Sequence, residues 1–272
     1  MKKIFLRTLA LSVFAVLAVS CCRCKCRCNE CTCNHSCNQA QESTVSNTPS
    51  SSQDEIIMFD GKTLNGWRGY NRQDVPQAWI VEDGAIRLKG SGRGEAGARN
   101  GGDIIYDQKF SNFEFSFEWK VAKGSNSGVF YLAQEVPGKP IFFSSPEFQI
   151  LDNENHPDAR MGENGNRQSA SLYDMIPASP QNAKPYGQWN TSKIIVYKGT
   201  VVHYQNGTNV LEYHLWTPEW KAMLDKCKFS EDKRPDAYKL LLNCGGENKE
   251  GYIGFQDHGD DVWFRNIKIK KL

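Results

Sequence analysis

The chain has 272 residues, of which 39% are hydrophobic and 11% aromatic, enough for one sizeable core. Its 33 basic and 31 acidic side chains leave a formal net charge of +2, which excludes an overall field that would draw in nucleic acid or an anionic membrane. A neutral small molecule is the partner class that remains. Seven Trp and ten Tyr suit a sugar, whose apolar faces stack on flat rings, although the same residues also favour strands.

Residues 1–20 have the order of a secretory signal peptide: Lys2, Lys3 and Arg7, an apolar run over 9–19, then small residues leading into Cys21. The run is too short to span a bilayer. Ala18-Val19-Ser20-Cys21 resembles a lipobox, although Leu usually fills the position of Ala18. That resemblance implies lipidation of Cys21 and a cell-envelope location, anchored to the outer membrane or facing the periplasm. Eight of the ten cysteines (21, 22, 24, 26, 28, 31, 33 and 37) follow at once. Cys-x-Cys spacing can offer several thiolates to a soft metal. No apolar residue accompanies these cysteines, however, and the segment reads as a low-complexity tether. Residues 38–54 are polar and rich in Ser, Thr, Gln and Asn, a composition that predicts a flexible spacer. Residues 21–54 are therefore read as tether and 55–272 as one folded domain. Cys227 and Cys244 lie inside that domain, and their pairing depends on geometry the sequence does not give.

From Ile56 onward the hydrophobic period is two. Strands are predicted over 79–88, 113–121, 128–133, 147–151, 193–197, 200–204, 252–256 and 262–269. The clearest is 113–121, where Phe113, Phe115, Phe117, Trp119 and Val121 alternate with Glu114, Ser116, Glu118 and Lys120. Asp60-Gly61, Asp83-Gly84, Lys198-Gly199 and Asn206-Gly207 are hairpin signals, and the last two frame a meander. One stretch reads as a short helical insertion: Thr217 as N-cap, Pro218 in the first turn, then Trp220, Met223, Leu224 and Cys227 at helical spacing. Many short strands with Gly-rich turns predict an all-β sandwich or jelly roll of two antiparallel sheets.

The chain has no Gly-x-Ser-x-Gly elbow, Walker loop, dinucleotide fingerprint or His-Glu-x-x-His helix. Arg93-Gly94-Glu95-Ala96-Gly97 is Gly-rich without a βα context and reads as a loop. Three polar clusters remain. In Glu147-Phe148-Gln149-Ile150-Leu151-Asp152, Phe148 and Ile150 share one face, so Glu147 and Gln149 share the other, and Asp152 ends the strand. Two carboxylates and an amide there can serve as acid, base and orienter; a solvated outer face explains the same pattern. Gln256-Asp257-His258-Gly259, followed by Trp263, Arg265 and Asn266, offers a His beside an Asp. Gly124-Ser125-Asn126-Ser127-Gly128 offers small residues and one amide where a ligand could approach, or a plain turn.

Phe59-Asp60-Gly61-Lys62-Thr63-Leu64-Asn65-Gly66-Trp67 resembles the opening of the 3-keto-disaccharide hydrolase domain family. Trp79-Ile80-Val81-Glu82-Asp83-Gly84, Asn126-Ser127-Gly128-Val129, the 147–152 block, Gln188-Trp189-Asn190, Asn206-Gly207 and the run from Gln256 to Ile267 continue the resemblance in order across 55–272. It implies a concanavalin A-like jelly roll and a hydrolase of sugars already oxidised at C3. A 3-keto group acidifies the C2 proton; a base removes it, the enolate expels the C1 substituent, and water adds back. This route differs from the oxocarbenium chemistry of ordinary glycosidases. The resemblance points to Glu147 or Asp152 as base and to His258 as acid or as the base's partner. Asn126, Gln149 and Arg265 would hold hydroxyls or the enolate, with Asn190 and Gln256 as further substrate contacts. No cofactor is required; a divalent metal ion held by Glu147, Asp152 and a His would polarise the ketone, though nothing in the spacing demands one. The polar loop 153–168, with His156, Asp158 and Arg160, and the insertion 212–232 bear on which sugar is taken. The competing readings are a non-catalytic carbohydrate-binding jelly-roll lipoprotein and a structural envelope lipoprotein.

Overall fold

The computed structural model describes residues 55–272, apart from the side chain of Glu95. The signal peptide, Cys21, the Cys-rich tether and the spacer lie outside the described residues. In chain order the strands are β1 (Glu55–Ile57), β2 (Trp67–Gly69), β3 (Trp79–Glu82), β4 (Ala85–Leu88), β5 (Ile104–Phe110), β6 (Phe113–Val121), β7 (Asn126–Ala133) and β8 (Glu147–Leu151). They continue as β9 (Asn190–Tyr197), β10 (Thr200–Gln205) and β11 (Thr208–His214), then helices α1 (Pro218–Leu224) and α2 (Pro235–Leu242), then β12 (Gly251–Phe255) and β13 (Val262–Lys271). One sheet runs β11-β10-β9-β6-β13-β4-β3, with β1 also on β13; the other runs β2-β5-β12-β7-β8. Every pairing is antiparallel. The architecture is the expected all-β jelly-roll sandwich.

Alternation decides which side chains fill the space between the sheets. In β6 the odd-numbered residues from Phe113 to Val121 are buried and the even-numbered ones half-exposed. Facing them, Phe255 of β12 stacks on Phe264 of β13 at 3.9 Å between ring centroids and on Trp67 of β2 at 4.9 Å. Burying each such side chain contributes on the order of 2 kcal/mol, so this aromatic slab holds the two sheets together. A titratable cluster inside it is satisfied internally. His203 lies 2.8 Å from the Tyr131 hydroxyl through Nε2 and 2.9 Å from the Ala170 carbonyl through Nδ1, and Tyr213 completes the chain. Burial lowers the His203 pKa to about 4.

Three expectations need correction. The hairpins at Asp83-Gly84, Lys198-Gly199 and Asn206-Gly207 form with both residues at positive φ, as two-residue turns of this hand require. Asp60-Gly61 does not make one: Asp60 Oδ1 instead accepts from the backbone N–H of Lys62 (2.8 Å) and Thr63 (2.7 Å), closing a side-chain-stabilised turn. Strands β1, β2 and β5 were not expected, and β11 only as the third strand of the meander; neither Ile-Ile-Tyr-Asp-Gln-Lys-Phe nor Thr-Asn-Val-Leu-Glu-Tyr-His alternates cleanly. The insertion holds one helix, as expected, and a second, unexpected helix follows it. Thr217 caps α1 by accepting from Trp220 N at 3.1 Å, and α2, opened by Pro235, buries Ala237, Tyr238 and Leu241. Cys227 and Cys244 are buried free thiols, one after α1 and one after α2, and burial pushes them up to about 11 and about 12.

Candidate active site

Strands β7, β8 and β12 place every second side chain on the outer face of the smaller sheet. On β8, Phe148 and Ile150 enter the inter-sheet core, which sends Glu147 and Gln149 outward. Asn126 and Gly128 of β7 share that face, as does Gln256 just past β12. This face is not solvated. The loop from Ala96 to Asp103, Asp257 and His258, Phe142, Tyr173, Lys228 of the insertion and Arg234 just after it enclose a cleft of about 540 Å³ over it, a size typical of small-molecule sites. Glu147 retains 7% of its exposure, Asn126 4% and Gln149 none.

Glu147 lies directly over Gly128: a Cβ there would come within 2.2 Å of Glu147 Oε1, so the glycine makes room for the carboxylate. Burial raises the Glu147 carboxyl to about 7, partly opposed by the charges of Lys228 and His258. Asp103, at the head of β5, is also raised to about 7, by burial and by the neighbouring Asp257 carboxylate, against the backbone N–H of Asp257 that it accepts at 2.9 Å. Two carboxyls poised near neutrality therefore share one cleft. Asp257 is itself a clamp. Its oxygens accept from the backbone N–H groups of Ala98 (2.9 Å), Gly102 (2.6 Å) and Gly259 (2.9 Å), which ties the 96–103 loop to the end of β12.

The wall contributed by the insertion is cationic and aromatic. Lys228 Nζ sits 4.1 Å from the Tyr173 ring centroid, and burial lowers its pKa while Glu147 and Asp174 oppose that shift. Behind it, Asp158 accepts from Tyr173 Oη and Arg167, fixing the ring. Gln256 Oε1 is buried without a hydrogen-bond partner, an acceptor left for a sugar hydroxyl.

A hydrogen-bonded chain crosses the cleft floor. Asn126 lies 3.2 Å from His258 Nε2 through one amide atom and 3.2 Å from the Gln149 amide through the other. When Gln149 Nε2 faces Glu147 it donates to Glu147 Oε1 at 3.3 Å and to the Ser127 carbonyl at 3.1 Å; the reverse orientation would set the amide oxygen against both acceptors.

The cleft thus brings together Asn126, Glu147, Gln149, Gln256 and His258, and leaves out Asp152, Asn190 and Arg265. Asp152 accepts from the backbone N–H of Gly124 (2.7 Å) and Glu154 (3.2 Å) and from Asn155 Nδ2 (2.8 Å), which pins the turns at the β7–β8 edge. Asn190 Oδ1 accepts from Lys184 N at 2.7 Å and Asn206 Nδ2 at 2.9 Å, on the other sheet. Arg265 points to the outer face of that sheet, where it pairs with Glu118 at 2.8 Å and stacks on Trp189 at 3.9 Å. Asp103 and Lys228 were missed by sequence reading. The signal for Asp103 was an acid leading directly into the apolar pair Ile104-Ile105, whereas nothing local set Lys228 apart from Lys221 and Lys226 of the same insertion.

Glu147, Asp152 and a His do not converge as a metal set, since Asp152 is at the turn. His156, His258 and Asp260 do bring one ligand atom each within 4.8 Å of one another. In that trio His156 Nδ1 accepts from Asp158 N at 3.1 Å, so in the neutral ring Nε2 carries the proton and offers no lone pair. The arrangement does not supply three free ligands.

Residues 54–270 match the 3-keto-alpha-glucoside-1,2-lyase-like domain. A protein of Bacteroides thetaiotaomicron named 3-keto-disaccharide hydrolase is 64% identical over 226 residues, 80% of this chain and 78% of the relative. A crystal structure from Parabacteroides distasonis, described as a glycosyl hydrolase, is 29% identical and superposes with a TM-score of 0.67 over 80% of this chain and 94% of its own. A second structure from that organism, 24% identical with a TM-score of 0.60 over 80% of this chain and 100% of its own, shares the fold. The chain belongs to the 3-keto-alpha-glucoside-1,2-lyase-like domain family.

Proposed function

We propose that the protein is a glycoside-cleaving hydrolase of 3-keto-glycosides and 3-keto-disaccharides, working by elimination and hydration. The observation that carries this reading is the pair Glu147 and Asp103, two cleft carboxyls raised to about 7, beside the cation of Lys228. The relative's name supports the substrate class. Glu147, as carboxylate, takes the C2 proton. The electron pair moves into an enolate with the C3 ketone, and its negative charge is met by Lys228. Collapse of the enolate breaks the C1–O bond, and Asp103, as acid, protonates the departing oxygen. Asp103 then removes a proton from water as it adds to C1, Glu147 returns a proton to C2, and the sum is hydrolysis. Gln256 holds a sugar hydroxyl, and His258 serves as the partner of the base.

The test is a purified 55–272 domain mixed with a 3-keto-glucoside bearing a chromogenic leaving group, beside the unoxidised glucoside. Release from the keto-sugar alone, lost in Glu147→Gln, supports the reading. Equal release from both sugars contradicts the keto requirement, and binding without release leaves a carbohydrate-binding module. From the 1–20 signal and Cys21 we infer export and lipid anchoring at the cell envelope. Mass spectrometry of the membrane-fraction protein should find an acylated N-terminal Cys21, and an unmodified N-terminus would contradict it.

A further inference from the structure

We propose that Asn126 and Gln149 are positioning residues that form a directional relay, fixing the proton on His258 Nε2 and holding Glu147 as a carboxylate. This deepens the role given to Glu147 above and rests on it for its catalytic meaning. The geometry is a line of four side chains, from the outer faces of β8 and β7 to the loop after β12: Glu147, Gln149, Asn126, His258. Neighbouring atoms are 3.3, 3.2 and 3.2 Å apart.

A single fixed acceptor sets the polarity of the line. The Ser127 carbonyl cannot become a donor, and it lies 3.1 Å from the Gln149 amide atom that also faces Glu147. That atom must therefore be Nε2, which donates to Ser127 O and to Glu147 Oε1. Gln149 Oε1 is then turned to Asn126 and needs a donor, which only Asn126 Nδ2 supplies. Asn126 Oδ1 is left facing His258 Nε2, so that nitrogen must carry a proton. Gln149 is fully buried and Asn126 nearly so, and a reversed amide would set Gln149 Oε1 against the Ser127 carbonyl and Glu147 Oε1, acceptor against acceptor. One backbone carbonyl therefore dictates the state of a ring two residues further along the chain of contacts.

The consequence falls on Glu147. The donor aimed at Oε1 favours the carboxylate that burial disfavours. Its other charged neighbours are Asp103, Asp158, Lys228 and His258, with Tyr173 on the facing loop. Around His258 stand Asp260, at 3.7 Å from Nδ1, and the His156 ring at 5.9 Å. Ser127 O holds Gln149 in this orientation with or without Asn126, so Gln149 tunes the base and Asn126 carries the polarity on to the ring.

Nitrogen-15 spectra of histidine-labelled protein, assigned against His258→Gln, test the polarity without substrate or turnover. Nε2 of His258 should stay protonated across the pH range, and a bare Nε2 as the main form of the wild type would overturn the relay. Asn126→Leu should lose the Nε2–H preference. Gln149→Met should move the acidic limb of the kcat profile upward by about one pH unit, about tenfold in rate below the limb, with KM little changed, whereas Asn126→Leu should leave the limb in place. A limb that stays in place in Gln149→Met, or an Nε2–H preference kept in Asn126→Leu, would overturn the relay. Should Glu147→Gln retain full activity, the enolate reading fails while the nitrogen spectra still decide the relay.

Discussion

The two outer faces of the sandwich carry similar side chains and use them in opposite ways. On the larger sheet the acids Glu118, Glu82 and Asp261 all have cationic partners. Glu118 accepts from Arg265 and Asn266, each at 2.8 Å, and Arg87 bridges Glu82 and Asp261. The aromatic rings there are capped too: Trp263 lies under Arg87 at 4.9 Å and Lys120 at 4.5 Å, and Trp189 under Arg265. On the smaller sheet Glu147 and Asp103 are covered by a loop and an insertion, and neither makes an ion pair among the described residues. Burial, which neighbouring cations offset only in part, is what raises both carboxyls to about 7. Alternation puts acids on both faces; cover turns one set into chemistry.

The largest effect should follow from removing the base. Glu147→Gln is expected to lower kcat on a 3-keto-glucoside about 10³-fold, while urea unfolding shows stability unchanged or raised, since a disfavoured buried charge is gone. The inter-sheet core offers the contrasting case of a buried titratable group satisfied in its neutral form. His203 has its folded pKa depressed from 6.5 to about 4, so the unfolded chain binds the extra proton first. Stability is then full above pH 6.5 and falls as pH drops towards 4, by roughly 3 kcal/mol from this ring. Unfolding free energies from pH 7 to 4 check it against a His203→Phe variant, which should lose that slope.

Gly128→Ala tests the cover from beneath. Its Cβ would meet Glu147 Oε1 at 2.2 Å, so the carboxylate must move, and kcat should fall about 10²-fold with a smaller change in KM. The pH profile comes next. Glu147 must be ionised, so activity rises through about 7, and Asp103 must be protonated, so activity falls above about 7. The result is a narrow optimum near neutrality with about a tenfold loss per pH unit on either side. The smallest effects belong to the larger sheet: Glu118→Gln or Arg265→Ala should leave kcat unchanged and cost about 1 kcal/mol or less in thermal or urea unfolding.

The sequence was most informative where one physical rule acted alone. In β6 the Phe-Glu-Phe-Ser-Phe-Glu-Trp alternation dictates both strand and buried face, and Lys198-Gly199 and Asn206-Gly207 dictate the β9–β10–β11 meander. The outward direction of Glu147 and Gln149 followed from Phe148 and Ile150 by the same rule. It was least informative where location depends on distant chain. Asp152 differs from Glu147 in nothing local, yet lies where three donors of adjacent turns reach it. Arg265 sits on a strand whose outward face is the wrong outer surface. Asp103 and Lys228 enter the cleft only because β5 and the insertion meet β8 in space, and β5 itself was hidden by its irregular pattern.

The most direct test of enolate chemistry is the fate of the C2 hydrogen. A 3-keto-glucoside deuterated at C2 would be turned over in ordinary water and the released sugar analysed by mass spectrometry and NMR. The account predicts a primary isotope effect on release and loss of the deuterium to solvent, both abolished with the activity in Glu147→Gln. Release without an isotope effect, with deuterium retained at C2, would contradict it and assign the cleavage to direct displacement at C1.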